Sequence, residues 1–524
     1  MKKKQILNFG LLVLSIVTLS SCSCSSIINF GSESSTPDYP SNTIPVELGK
    51  YAGQNITLKE VKAAGDTICL DPTGNQNILV IPITFKDYPL ERLNLKEEDV
   101  KRNISDAFFG EALDTGWESV SSFYKKSSFG KLNLTGEVSD IVTLNYNLVD
   151  FVTQGQAEPT YYALEKSVQE FKKNYQGDIT KFDQNHDGYL DAVWMVYLPP
   201  YLNSETEAWY LRNEPKFTSK EILNKASNVL WAYTYWDTTT ESDKKSPNPN
   251  VYAWASYEFL KNNDYCSFFG GCKVDAHTFI HETGHVMGLD DYYSYDQGDA
   301  PCGGLDMMDN NVGDHNTYSK YMYGWVEPEI VKEPGTYHLR PAESTGDCLL
   351  VPTSLDSFNN SPFDEFLMLE YYTPTGLNLL DSKHAYESGV RNFYEPGVKI
   401  YHVDSRLGNL KYKHSMIGQS GMVFEGYTDK VISTKDSYTT IVANNTPRYS
   451  YTNDRLLTLL SDAHGAKSNY YYVDRPRNLA NNKDLFQEGS LVNGFTFNDK
   501  QKMNYQITFE NMNEEGIDIV FKSL

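Results

Sequence analysis

The stretch Val274–Asp291 reads VDAHTFIHETGHVMGLDD, and its spacing decides how the rest of the chain is read. His281 and His285 stand four positions apart, which on a helix turns both imidazoles to one face, within reach of a single cation. Glu282 lies one residue round, beside the open side of such an ion. Gly288 can take the left-handed conformation that ends a helix and turns the chain back, which lets Asp291 approach the ion from outside the helix. Two imidazoles and a carboxylate leave a fourth position for water, as catalytic zinc requires, whereas a structural site is closed by a fourth protein ligand and no cysteine has that spacing. An HExxH is expected by chance roughly once in a hundred chains of this composition, and far less often with the glycine and aspartate in place. Asp290 and His315 are the alternative third ligands. His277, one turn before His281, reads as a capping or core histidine.

Around this stretch lie 524 residues, enough for two or three domains with buried cores. The formal charge is −23, so there is no basic footprint for nucleic acid. Lys2, Lys3 and Lys4 precede an apolar run from Ile6 to Leu19 that is short for a bilayer span and reads as a secretory signal. It ends in Leu19-Ser20-Ser21-Cys22, which resembles a bacterial lipobox and makes Cys22 the expected site of lipidation after removal of residues 1–21. Membrane contact is therefore expected through the lipid alone, on the outer face of a bacterial membrane. Ser23 to about Pro45 is Ser/Pro-rich and suits a tether. Of the other cysteines, Cys302 could bridge to Cys266 or Cys272 outside the cell, and Cys69 could pair with Cys348, stay free, or block the metal of a precursor as a thiolate.

From residue 75 the pattern alternates. Asn77–Phe85 and Leu132–Val138 read as strands; Glu97–Phe109, Val120–Lys125 and Thr160–Asn174 read as helices. That alternation indicates an α/β layer over 75–330, with 22–74 as tether and a short pro-like segment. After 330 come short strands at Tyr337–Arg340, Cys348–Pro352, Glu365–Tyr371, Val398–Val403 and Ile517–Phe521, separated by turn residues, so 331–524 reads as an all-β sandwich or jelly roll. The run Val251–Phe259, VYAWASYEF, is either an edge strand that could pair with an extended substrate or a core strand.

The segment Asp183–Asp191 places oxygen donors at Asp183, Asn185, Asp187, Tyr189 and Asp191, with Gly188 at the sharp turn, which is the pattern of a structural calcium loop. Trp194 stands at position twelve where an EF-hand has glutamate, so the loop is read as leading into a strand. The same residues also suit an Asp/Asn/Gly turn without an ion.

His281–Tyr293, HETGHVMGLDDYY, followed by Gly303–Trp325, GGLDMMDNNVGDHNTYSKYMYGW, resembles the immune inhibitor A family of secreted bacterial metzincin metallopeptidases. Ser121–Val138 and the Asp183 loop have the order and character of that family, and Asp364–Tyr372 and Gly397–Asp404 also look similar. The resemblance implies an α/β metzincin-like zinc peptidase domain, with Met308 as the methionine of the turn beneath the metal and Met307 its neighbour. It implies that zinc-activated water attacks a peptide carbonyl, with Glu282 taking the water proton and passing it to the leaving amine. Asp rather than His as third ligand is at home in the family. Asn310 stands where many metzincins carry tyrosine, two residues after the methionine, which leaves the transition-state-stabilising side chain unidentified. The expectation is a lipid-anchored zinc endopeptidase acting on proteins or peptides. The rivals are a surface adhesin with a vestigial metal site and a metallohydrolase of non-peptide bonds.

Overall fold

The computed structural model describes residues 56–154, 157–203, 206–214, 216–217, 219–261, 274–295, 300–386, 390–414, 420–445, 454–462 and 479–524. The signal, Cys22, the tether, Cys266 and Cys272 lie outside the described residues.

The amino-terminal sheet comprises β1 (Gly74–Phe85), β2 (Leu132–Val138), β3 (Val142–Leu144), β4 (Val193–Tyr197), β5 (Tyr233–Trp236) and β6 (Val251–Ser256). Its order is β2-β1-β4-β6-β5, with β3 beside the far end of β1. All neighbours run parallel except β5, which is antiparallel to β6. Side chains alternate between faces along a strand, so one strand feeds two cores. Val80, Trp194 and Ala253 point into the layer that holds the helices Glu97–Phe109, Val120–Ser127 and His277–Val286. Leu79, Met195 and Trp254 point into the opposite layer with the helix Ala157–Asn174. The result is a three-layer α/β arrangement in which burial on both faces explains the near-continuous apolar runs of β1, β4 and β6.

Beyond it lie β7 (Glu329–Ile330), β8 (Gly335–Leu339), β9 (Cys348–Pro352), β10 (Glu365–Tyr372), β11 (Gly397–Asp404), β12 (Leu407–His414), β13 (Ser420–Tyr427), β14 (Ser433–Thr434), β15 (Ser437–Ile441), β16 (Leu457–Leu459), β17 (Leu491–Thr496), β18 (Lys502–Asn513) and β19 (Gly516–Ser523). They form sheets of order β16-β11-β10-β9-β7, β13-β12-β15-β14 and β17-β18-β19-β8. Leu349, Leu367, Leu369 and Ile400 of the first meet Ile507, Phe509 and Ile519 of the last in one apolar core. The other face of β10 and β11, with Phe366, Met368 and Tyr401, belongs to the same core as the helix His277–Val286. The β-rich half is thus built into the α/β half along one side.

Two expectations change. The Val251–Phe259 run is not at the sheet edge, because β6 has β4 on one side and β5 on the other, and the edge is β5. Cys69, Cys302 and Cys348 are free and buried, so neither the Cys69–Cys348 pair nor a Cys302 bridge is formed. Burial pushes the Cys69 thiol up to about 12, and the metal-ligating group among the described residues, His281, His285 and Asp291, does not include it.

Candidate metal centre

The helix His277–Val286 is buried along its whole length. Phe279 anchors it to the sheet, packing on Phe108 and Trp194 at ring separations of 5.4 and 5.2 Å. Hydroxyls fix its carbonyls from the side: Tyr124 donates to Ile280 O at 2.7 Å and Tyr323 to Gly284 O at 2.8 Å. The helix stops where Gly288 adopts φ +102°, and the Leu289 amide closes back on Gly284 O at 3.1 Å. A Cβ at Gly288 would also press on Cys69 Sγ and Leu58 at 3.3 Å, so the turn wants glycine for space as well as for φ.

That turn delivers two groups to the site. The Leu289 carbonyl accepts from His285 Nδ1 at 2.7 Å, and Asp291 Oδ1 comes within 3.1 Å of both His281 Nε2 and His285 Nε2. The two Nε2 atoms are themselves 3.1 Å apart. His281 Nδ1 meets the Met307 carbonyl at 2.7 Å. A carbonyl oxygen only accepts, so both Nδ1 atoms carry protons and both Nε2 lone pairs turn inward in the neutral rings. Three acceptor atoms then face one another in an equilateral triangle. A point about 2.0–2.1 Å from each, the distance of zinc from nitrogen or carboxylate oxygen, lies about 1 Å above that triangle, so the residues fit the ion. His281, His285 and Asp291 form the only such group of metal-ligating side chains among the described residues.

The electrostatics has the same sense. Burial opposes charging of His285, but the adjacent Asp291 outweighs it and pushes the imidazole up to about 9. Burial alone would raise Asp291; His285 and His281 instead hold it well below the usual carboxylate range. The site therefore gathers positive charge between its three ligands, and a proton on His285 does in part what a cation would do fully. Glu282 is raised by burial, a shift that the two histidines reduce. Its Oε2 accepts from Thr234 Oγ1 of β5 at 3.1 Å.

Met308 is buried directly under the helix. A Cβ on Gly284 would fall 2.5 Å from Met308 Sδ, so the glycine between the two histidines makes room for that sulfur. Asp306 caps the short helix Met307–Asn310 through the Met308 amide, and the Met308 carbonyl accepts from Tyr292 N at 2.8 Å. One turn thus braces His281 through Met307 O and the Asp291 strand through Met308 O.

The other candidates lie elsewhere. Asp290 pairs with Lys62 Nζ at 2.9 and 3.0 Å, and His315 Nε2 faces Tyr124 OH at 3.4 Å. His277 is sandwiched between Trp117 and Tyr386, with Asp275 at 2.6 Å and Asp381 at 3.5 Å. In the Asp183 loop, Asp183 accepts from the amides of Asp187 and Gly188 at 3.0 Å, Asn185 from Asp187 at 2.9 Å, Asp187 from Tyr189 at 2.8 Å and Asp191 from Gln184 at 2.9 Å. Burial, with Asp183 and Asp187 alongside, pushes Asp191 up to about 7. Its carboxylates do not gather into a three-ligand group like that at His281. Sequence reasoning missed Thr234, Tyr295, whose hydroxyl donates to Asp291 Oδ2 at 3.1 Å, and the carbonyls of Met307 and Leu289. None carries a sequence signal except Tyr295, which closes the aromatic run after Asp291.

No protein-family model and no curated protein matches this chain. Among solved structures, the crystal structure of S. aureus TarS is similar at 8% identity over 86% of each chain, with a TM-score of 0.10, a likeness too slight to carry an argument about fold or function.

Proposed function

We propose that the chain is a zinc-dependent endopeptidase with a metzincin-like catalytic half, held by lipid at Cys22 on the outside of a bacterial membrane. The observation that carries the reading is the triangle of His281 Nε2, His285 Nε2 and Asp291 Oδ1, 3.1 Å on each edge, with Glu282 on the next position of the same helix. His281, His285 and Asp291 would hold the zinc, which when bound would polarise both the water and the scissile carbonyl. Glu282, steadied by Thr234, accepts the proton of the attacking water and returns it to the departing amine nitrogen as the C–N bond breaks. Met308 contributes no ligand; it supports the helix from below.

The test is cleavage of unfolded casein by the chain lacking residues 1–22, beside Glu282→Ala, with zinc measured in both. Activity in the first alone, with zinc in both, is the expected result. Zinc in both and cleavage by neither would favour the surface-binding reading.

The Asp183–Asp191 loop is proposed as a structural calcium site, because burial, with Asp183 and Asp187 alongside, raises Asp191, and a divalent cation would favour its charged form. Calcium at millimolar concentration is expected to raise the melting temperature by about 1–2 °C, from a gain on the order of 1–2 kcal/mol. Asp183→Ala should abolish the gain, and an equal shift in that variant would refute the site.

A further inference from the structure

Each of the three side chains that face one another at the metal centre is oriented from outside by a hydrogen-bond partner. For His281 and His285 that partner is a main-chain carbonyl, of Met307 and of Leu289, at 2.7 Å. For Asp291 it is a side chain: Tyr295 OH donates to Oδ2 at 3.1 Å and leaves Oδ1 to the two imidazoles. A partner at the end of a rotatable side chain orients a ligand only as well as its own main chain is fixed. Asp291 needs that support more than the histidines do, because it lies beyond the Gly288 turn, outside the helix His277–Val286.

The support comes from the β-rich half. Asn444 and Asn445, both buried, follow β15, and each takes one end of the run after Asp291. Asn444 Nδ2 donates to Tyr292 O at 2.6 Å, and Asn445 Oδ1 accepts from the Tyr295 amide at 2.6 Å, across 150 positions of chain. Asn444 is itself tied to β16, accepting from the Leu457 amide at 3.0 Å and donating to the Leu457 carbonyl at 2.9 Å. The two asparagines are therefore anchored on a strand before they reach across. Asn445 has only its oxygen in use, since its Nδ2 is buried and makes no hydrogen bond among the described residues.

We propose that Asn445 is a positioning residue for the metal centre, acting through Tyr295 on Asp291. The inference rests on the zinc reading of the His281–His285–Asp291 triangle. By accepting from the Tyr295 amide, Asn445 sets the point from which the tyrosine side chain starts; the phenol then holds Oδ2, which turns Oδ1 toward His281 Nε2 and His285 Nε2. The β-rich half thereby enters the metal centre without supplying a ligand. Because position 445 is used as an acceptor alone, aspartate can stand in for asparagine there and alanine cannot.

The decisive experiment compares Asn445→Ala, Asn445→Asp, Tyr295→Phe and the double variant Asn445→Ala/Tyr295→Phe with the unaltered chain lacking residues 1–22. It measures zinc affinity by competition with a chelator, the visible absorption of the cobalt(II)-loaded protein, which reports the geometry around the ion, and casein cleavage. Asn445→Ala is expected to weaken zinc about tenfold and to shift the cobalt bands, while Asn445→Asp keeps the bands and stays within about threefold of the unaltered affinity. In the Tyr295→Phe background the alanine substitution should change affinity by less than about twofold, because the phenol through which it acts is gone. Where Asn445→Ala gives no folded protein, Asn445→Ser, whose oxygen stops one bond short of the accepting position, takes its place. An alanine variant within about threefold of the unaltered affinity, an aspartate variant as weak as the alanine one, or an equal loss in the Tyr295→Phe background would overturn the assignment. Failure of the unaltered chain to take up zinc or cobalt would overturn it together with the metal centre. Metal uptake without cleavage of casein would instead sink the peptidase reading alone, and the affinities would still decide Asn445.

Discussion

Asp290 and Asp291 are adjacent and chemically identical, yet the fold gives them opposite work. Asp291 is buried completely against two imidazoles, whereas Asp290 turns to Lys62, which lies 228 residues away along the chain. Truncating Asp291 removes one of the three atoms of the triangle and leaves His281 Nε2 and His285 Nε2 facing each other; truncating Asp290 removes only the ion pair with Lys62 Nζ. Asp291→Ala is therefore expected to lower zinc affinity by at least about 100-fold, while Asp290→Ala keeps its zinc and loses at most about 3–5 kcal/mol of stability with the buried pair. Equal zinc content in the two purified variants would refute the assignment. The sequence could not separate the two acids by itself, because the deciding partner is a lysine brought in by tertiary structure. The pairing of Glu282 with Thr234 was hidden for the same reason: the threonine is 48 residues upstream on an edge strand that carries no motif.

Elements with a strong local period were legible almost to the residue. The helix Glu97–Phe109 and the strand Leu132–Val138 have the bounds expected of them, since an acidic first turn and a glycine stop, or a run of alternating residues, act over neighbours only. What the helix His277–Val286 packs on was not legible, and two predictions belong there. At its centre, Gly284→Ala would bring a methyl group within 2.5 Å of Met308 Sδ. The expected cost is about 1–3 kcal/mol with weaker zinc retention, measured by denaturation and chelator competition, and an unperturbed variant would show that the methionine has room to move. At its first residue, burial opposes charge on His277, but Asp275 and Asp381 outweigh it and push the imidazole up to about 9. A raised histidine stabilises fully below its ordinary value near 6.5 and loses that contribution as pH rises through about 9. The denaturation midpoint should accordingly fall between pH 7 and pH 10, and fall less in His277→Gln. Parallel pH profiles for the two proteins would exclude the ion pair as the cause.

At the scale of the whole molecule, the composition change near residue 330 marks where strands take over, but the apolar core does not stop there. Phe366, Met368, Tyr372 and Tyr401 share a core with Phe279, Ile280 and Met308. Polar contacts cross the same boundary at the site's supports: Asp381 accepts from Gly313 N at 2.6 Å, Asn378 from Asp314 N at 3.0 Å and Glu370 from Thr317 N at 2.7 Å. Hydropathy patterning reports which residues are apolar in each half and says nothing of whether the two halves bury them against each other, so this union was invisible in the sequence. It has a consequence for dissection. A chain of residues 56–330 would expose the apolar patch under the helix His277–Val286 and leave the 313–317 segment without those acceptors. Each of these buried groups costs about 1–3 kcal/mol when left unpaired, against a total stability of only about 5–15 kcal/mol. The expectation is that 56–330 fails to give a cooperative thermal transition and does not retain zinc, whereas 56–524 does both. A cooperative, zinc-retaining 56–330 fragment would show instead that the β-rich half is an accessory, and that the triangle of His281, His285 and Asp291 is held entirely by the sheet and helices that precede it.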